Sequence, residues 1–245
     1  MMKQSIFTVI SNKPLNATVY KMVLAGDTSA IIAPGQFVNI QLEGKYLRRP
    51  ISVCDCDSST LVLVYKTVGS GTEQMSRLQC GDKLDVLSGL GNGYDTSVSG
   101  SDVLLIGGGV GVPPLYMLAR ELIRHGKRVN VVLGFNTSSE IFFKEEFEAL
   151  GCAVTVTTVD GTFGTKGFVT DALPSDYSYF YTCGPEPMLK AVYRATVTGG
   201  QFSFEERMGC GFGACMGCSC KTVTGYKRIC KDGPVLTKEE ILWNV

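Results

Sequence analysis

Four cysteines near the end of the chain, Cys210, Cys215, Cys218 and Cys230, follow the pattern C-x4-C-x2-C-x11-C, and the first three lie in the glycine-rich run Met208-Gly-Cys-Gly-Phe-Gly-Ala-Cys-Met-Gly-Cys. The first two intervals are those of a loop that wraps a 2Fe–2S cluster, with a distant fourth cysteine closing the cage. To bring three thiolates onto two irons within so few residues, the backbone must turn tightly and aim its N–H groups at sulfur. A side chain at Gly209, Gly211, Gly213 or Gly217 would obstruct that approach, whereas Ala214 is small enough to be tolerated. Four thiolates also suit structural zinc, but zinc is commonly held by two C-x2-4-C pairs, and here the fourth cysteine stands alone. Zinc and unligated thiols stay open as alternatives. Cys220 shares a strand face with Cys218 and is read as a packing residue, because the spacing is complete without it.

The remaining cysteines, Cys54, Cys56, Cys80, Cys152, Cys183 and Cys220, show no pairing logic. With no export signal visible at the N-terminus, reduced thiols and a cytoplasmic setting are expected. Lys plus Arg balance Asp plus Glu at 23 each, so charge points to neither nucleic acid nor an anionic membrane surface. The longest apolar stretches are too short to span a bilayer. The single histidine, His125, lies in Arg-His-Gly-Lys-Arg, which reads as a helix end stopped by Gly126. That setting argues against histidine acid–base chemistry and points to cofactors as the carriers of the chemistry.

At 245 residues the chain has room for two packed domains and an appendage. Residues 1–97 carry short β-branched runs at 6–10, 17–24, 36–42, 51–54 and 60–66, separated by turn residues and one helical interval at 71–78. This is the signature of a small closed barrel. Residues 98–201 alternate strands (from 102, 128–133, 154–159, 177–183) with helices (114–125, 145–150, from 186), which predicts a parallel sheet covered on both faces. Residues 202–245 form the cysteine segment.

Three motifs precede the cysteines. In Ile106-Gly-Gly-Gly-Val-Gly-Val-Pro-Pro, a glycine turn leads from a buried strand into a helix with proline in its first turn. Such a turn admits a pyrophosphate to a helix N-terminus, but a merely tight strand–helix turn reads alike, and proline replaces the third glycine of G-x-G-x-x-G. Cys183-Gly-Pro-Glu-Pro-Met repeats the arrangement after another strand of the same sheet. In the β segment, Arg49-Pro-Ile-Ser and Val64-Tyr-Lys-Thr-Val-Gly-Ser-Gly-Thr each read alone as an edge strand or an ordinary loop. Together they suit a flavin: Arg49 for pyrophosphate charge, Ser52 for the isoalloxazine, Tyr65 for an aromatic face, and the amides of Gly71 and Thr72 for phosphate.

This ordered set, R-P-I-S, G-S-G-T, G-G-G-V-G-V-P-P and C-G-P-E-P-M, resembles the ferredoxin-NADP reductase family over residues 1 to about 200. With the cysteine loop included, the whole chain resembles the electron-transfer subunits of class 1B dihydroorotate dehydrogenases. The resemblance implies a β plus α/β architecture: a six-stranded antiparallel FAD-binding barrel, a Rossmann-like parallel-sheet NAD domain and a small 2Fe–2S domain. It places FAD on Arg49, Pro50, Ile51, Ser52, Val64, Tyr65, Lys66, Gly71 and Thr72. By the same resemblance NAD falls to Gly107, Gly108, Gly109, Gly111, Cys183, Gly184 and Pro185, and the cluster to Cys210, Cys215, Cys218 and Cys230. It also implies a heterotetramer with an FMN-containing dihydroorotate dehydrogenase catalytic subunit, acting in pyrimidine synthesis. The stretch Gly134-Phe-Asn-Thr-Ser-Ser-Glu-Ile offers no cation before Lys144 and an acid at Glu140, which predicts NAD over NADP. The rival readings are a reductase subunit of similar build with another acceptor, such as the small subunit of a ferredoxin-NADP oxidoreductase, and a zinc-stabilised nucleotide-binding module. Met208, Phe212 and Met216, beside the ligands, suit either a small core or a partner surface.

Overall fold

The computed structural model describes residues 2–243. Its N-terminal part is a closed antiparallel barrel built from β1 (Lys3–Pro14), β2 (Val19–Ala25), β3 (Phe37–Ile40), β4 (Arg49–Cys56), β5 (Thr60–Lys66) and, after the short helix α1 (Ser70–Ser76), β6 (Lys83–Leu90). The strand order is β1-β2-β5-β4-β3-β6, as the six-stranded expectation required. Alternation sets the inside: Phe7, Met22, Val38, Ile40, Leu61, Leu63 and Tyr65 fill the barrel, each from a position whose neighbours point outward.

A parallel sheet follows, formed by β7 (Asp102–Gly108), β8 (Arg128–Phe135), β9 (Ala153–Thr158), β10 (Thr165–Lys166), β11 (Tyr179–Cys183) and β12 (Gly200–Ser203). Helices α2 (Pro114–Arg124), α3 (Lys144–Ala149) and α4 (Glu186–Ala195) connect them. β7 is central and apolar on both faces. Its Val103 and Leu105 face the core shared with α2 and the barrel residues Val19, Cys54 and Val64, whereas Leu104 and Ile106 face Phe180, Leu189 and Phe202. That double burial explains its nearly uninterrupted hydrophobic run. His125 caps α2 and Gly126 follows at φ 74°, so the expected helix stop is found.

The cysteine segment contributes a hairpin of β13 (Ser219–Thr222) and β14 (Gly225–Arg228), then β15 (Val235–Thr237). β15 pairs antiparallel with β12 and becomes the seventh strand of the parallel sheet. β12 itself runs through position 202, where the sequence division begins the third segment. A further apolar cluster joins Phe37, Leu87 and Leu90 of the barrel to Cys218, Ile229, Cys230 and Leu236. The cysteine loop is therefore packed against both earlier units.

Candidate functional site

The wall of the barrel opens where the flavin motifs lie. β4 and β5 pair from Val53 through Cys56 only, opposite Leu63 to Leu61. Beyond that point residues 49–52 pair with β3 alone and residues 64–66 with β2 alone. Two facing strand edges thus diverge, and their main-chain polar groups carry no ladder bonds to each other. Unpaired backbone donors and acceptors need partners, so this opening suits a planar heterocycle rich in hydrogen-bonding groups. Pro50, which has no N–H to satisfy, sits at such an edge without penalty. Arg49 to Ser52 are all half-buried, neither sealed in the core nor loose in solvent.

At the far end of the opening, Arg49 lies over the start of α1: a Cβ added at Gly71 would fall 2.2 Å from Arg49 Nε. Residues more than twenty apart in sequence are thereby brought together as expected. Thr72 closes the turn, accepting from the Val68 N–H at 2.9 Å and donating to the Gly69 carbonyl at 3.0 Å. The N–H groups that open a helix have no intrahelical partner, which leaves those of Gly71 and Thr72 for a ligand. Lys45 donates to Ser70 Oγ at 2.9 Å, adding a second cation at this corner. Sequence reasoning missed it, and no motif marks it.

Tyr65 differs from its expected role. Its ring is buried inside the barrel, stacked on Tyr20 at 5.9 Å, and its hydroxyl donates to Asn12 Oδ1 at 2.9 Å. Burial pushes the phenol up to about 12 against the opposing effect of the Asn12 hydrogen bond. The ring has no free face to offer; what Tyr65 presents to the opening is its backbone. The parity of β5 accounts for this, since Leu61, Leu63 and Tyr65 share the inner face. Val64 points instead into the core shared with the parallel sheet, and Lys66 is exposed.

The two glycine turns of the parallel sheet meet at the C-terminal ends of neighbouring strands β7 and β11. A Cβ at Gly111 would lie 2.3 Å from the Cys183 carbonyl oxygen, and one at Gly108 or Gly184 would strike Met188. Gly107 is similarly confined by Val112 and Leu115. These glycines let the turns pack together. Gly109 is different: at φ 51° it needs a left-handed conformation and faces open space, the position where a ligand can approach the backbone. Pro185 caps α4, and Cys183, beside these turns, points its thiol inward, where burial raises it to about 12. Past β8, Glu140 accepts from the Asn136 side-chain amide at 2.9 Å and its main-chain N–H at 3.2 Å, so the acid is oriented at the strand end.

The cysteines form two pairs. The Cys210 N–H approaches Cys215 Sγ at 3.4 Å, while the N–H groups of Ala214 and Cys215 approach Cys210 Sγ at 3.2 and 3.4 Å. The Cys230 N–H approaches Cys218 Sγ at 3.4 Å. The eleven-residue interval is the β13–β14 hairpin: Ser219 pairs with Arg228, and the Ile229 N–H bonds to the Cys218 carbonyl at 3.1 Å. The hairpin returns the chain to where it left. Burial pushes the Cys210 thiol up, but the N–H groups of Cys215 and Phe212, then the Cys215 thiol and the Ala214 N–H, outweigh it and bring it down to about 6; burial, then Cys218, raise Cys230 to about 12. Arg228 braces the loop, donating to the Gly213 carbonyl at 3.0 Å while paired with Asp232. Among the described residues, no three Cys, His, Asp or Glu side chains surround a point that a single ion could occupy. The two N–H-lined thiol pairs suit a cluster of two irons, each of which takes two thiolates. Cys220 lies on β13 opposite Lys227, outside both pairs. Phe212 and Met216 are about half exposed, while Met208 packs against the cluster-side core.

A barrel with an opened wall, a parallel sheet with paired glycine turns and a loop of paired thiols define a flavin-dependent reductase that carries an iron–sulfur site. The family model for the iron-sulfur cluster binding domain of dihydroorotate dehydrogenase B matches residues 205–242, and that for an oxidoreductase NAD-binding domain matches residues 105–194. The electron transfer subunit of dihydroorotate dehydrogenase B (NAD(+)) from Geobacillus sp. (strain WCH70) is 42% identical, covering 99% of this chain and all of that protein. The protein of the same description from Fusobacterium nucleatum subsp. nucleatum is 40% identical over 98% of the chain and 99% of its own length. Among solved structures, the NADH-dependent reduced ferredoxin-NADP oxidoreductase aligns with TM-score 0.88 and 30% identity, over 97% of this chain and 90% of its own. The chain belongs to the family of dihydroorotate dehydrogenase B (NAD(+)) electron transfer subunits. It is an oxidoreductase subunit with FAD, a 2Fe–2S cluster and NAD as cofactors.

Proposed function

We propose that this chain works with a separate FMN-containing dihydroorotate dehydrogenase catalytic subunit, two copies of each, and delivers the electrons of dihydroorotate oxidation to NAD+ in cytoplasmic pyrimidine synthesis. The observation that carries the proposal is the packing of Cys218 and Cys230, with Cys210 at their edge, against the same barrel whose wall opens beside Arg49. When bound, a flavin exchanges two electrons with a nicotinamide and one with an iron–sulfur cluster, so it belongs between them.

The residue roles follow from chemistry. Arg49 and Lys45 supply positive charge for a pyrophosphate, with the Gly71 and Thr72 amides beside them. The main chain of Pro50, Ile51 and Ser52 and of Val64, Tyr65 and Lys66, together with the Ser52 hydroxyl, holds the flavin ring. Gly109 admits the dinucleotide to the turn that Gly107, Gly108, Gly111, Cys183, Gly184 and Pro185 build. Cys210 with Cys215, and Cys218 with Cys230, hold the two irons. Residues 1–97, 98–201 and 202–245 then serve as the flavin, nicotinamide and cluster units. The residues at these sites are all assigned to holding cofactors, which supports giving dihydroorotate oxidation to the partner. Phe212 and Met216, exposed beside the cysteines, supply a dry contact for that partner.

The test is reconstitution. The purified chain is expected to oxidise NADH with an artificial dye, and to show dihydroorotate-dependent NAD+ reduction only after an FMN-containing subunit is added. Dihydroorotate-dependent NAD+ reduction by the chain alone would defeat the division of labour.

A further inference from the structure

We infer that Asn39 is the positioning residue that fixes the Cys210 end of the cysteine loop against the flavin strand. The inference deepens the proposed function, since it takes residues 49–52 as flavin-binding and residues 210–230 as cluster-binding. Asn39 sits in the middle of β3, directly opposite Pro50 of β4. Its side chain leaves the barrel on the side that carries the cysteine segment, is 1% exposed, and donates through Nδ2 to the Cys210 carbonyl at 3.3 Å. One residue on, Gly211 makes the contact possible: a Cβ there would lie 2.0 Å from Asn39 Nδ2, and its φ of 78° requires glycine. From the other side, Arg48 donates to the Asn39 carbonyl at 3.3 Å while paired with Asp85 at 3.0 Å, so the strand under Asn39 is itself held.

Packing alone does not explain an amide here. Asn39 Oδ1 is buried without a hydrogen-bond partner, and a half-satisfied buried amide is disfavoured against leucine of similar volume. The group that Asn39 does satisfy is the Cys210 carbonyl. That carbonyl belongs to the peptide plane from which the loop turns back to aim the Ala214 and Cys215 N–H groups at Cys210 Sγ. Hydrogen bonds to cluster sulfurs set the reduction potential. Without the Asn39 donor the peptide is free to rotate and those N–H···S bonds weaken, which disfavours the reduced, more negative cluster.

The experiment uses the full chain with FAD and cluster in place. Asn39→Leu is expected to keep FAD content and the NADH–dye rate, because the dye draws on the flavin. It should shift the cluster's reduction equilibrium by about tenfold, a fall in potential of about 59 mV for one electron. An unchanged potential with full iron and sulfide content would overturn the inference, as would a parallel loss of FAD, dye activity and iron, which would make Asn39 a barrel-folding residue. If Asn39→Leu does not accumulate, Gly211→Ala strikes the same contact from the loop. It should lower iron and sulfide per chain while FAD is retained, and an intact cluster of unchanged potential would again overturn it. Iron, sulfide and FAD assays on the unaltered protein separate the two levels: absence of either cofactor there removes the underlying reading, and the Asn39 role with it.

Discussion

Gly111→Ala should damage nicotinamide use by driving the two glycine turns apart. The added methyl would stand 2.3 Å from the Cys183 carbonyl oxygen, 2.4 Å from its carbon and 2.5 Å from the Gly184 nitrogen. All three are main-chain atoms, so no side chain can swing away. Reaching ordinary contact requires the ends of β7 and β11 to separate by about 1 Å. Overpacking of this kind costs about 1–3 kcal/mol, which for a protein of this size lowers Tm by about 2–12 °C. A displacement of about 1 Å at a reacting centre can cost about 100-fold in rate, so NADH–dye turnover should fall much further than stability does. Gly126→Ala is the control, because at φ 74°, at the opposite end of α2 from the turns, it meets open space and bears only the left-handed penalty of about 1–2 kcal/mol. Thermal unfolding and steady-state kinetics with varied NADH, at equal FAD content, give both readings. A Gly111→Ala protein with unchanged Tm and unchanged kcat/KM for NADH would refute the idea that backbone contact between the turns shapes the nicotinamide site.

NADH should be preferred to NADPH by at least about tenfold in kcat/KM: a charge-assisted hydrogen bond is worth about 1.5–3 kcal/mol, and no cation stands between β8 and Lys144 to make one with a 2′-phosphate. Comparable efficiencies with the two nucleotides would contradict the reading of Glu140. Cys218→Ser should strip or greatly weaken the cluster while FAD stays bound, whereas Cys220→Ser should keep near-normal iron and sulfide, because only Cys218 is paired with Cys230. The reverse pattern would show that the loop is threaded through Cys220.

Glycines and cysteines were the most legible residues because each answers a physical need that few others meet. The spacing 210-215-218 already implied a turning loop, and the structure turns the backbone so that N–H groups approach the Sγ atoms of Cys210, Cys215 and Cys218. The glycine turns at 107–111 and 183–184 were placed at the correct strand ends, although most of their glycines serve turn-on-turn packing and only Gly109 faces open space. The barrel was readable from short strands and turn residues. What escaped was non-local. β15 joins a sheet whose other strands lie much earlier in the chain, and its three residues carry no signal of that partner. Lys45 and Asn39 belong to no motif and gain their places only when β3, β4 and α1 come together. Tyr65 was misdirected for a different reason: the motif suggested a ligand face, while the parity of β5, visible in Leu61 and Leu63, assigned its ring to the interior.

The attachment of the cysteine segment bears on why a loop of this kind is joined to a flavin barrel at all. A cluster that only stabilised its own fold could hang from a tether. Transfer of single electrons instead needs a fixed distance between centres, and the segment is held from three directions. β15 is built into the parallel sheet through β12. Cys218, Ile229 and Cys230 are buried against Phe37, Leu87 and Leu90 of the barrel. Asn92, just past β6, accepts from the Val235 N–H at 3.0 Å and donates to the Val235 carbonyl at 2.8 Å. The attachments use main chain, core atoms and one neutral side-chain amide, not charge, so salt should not loosen them. On the exposed side of the loop Phe212 and Met216 stand about half exposed, which is what the partner contact proposed above requires.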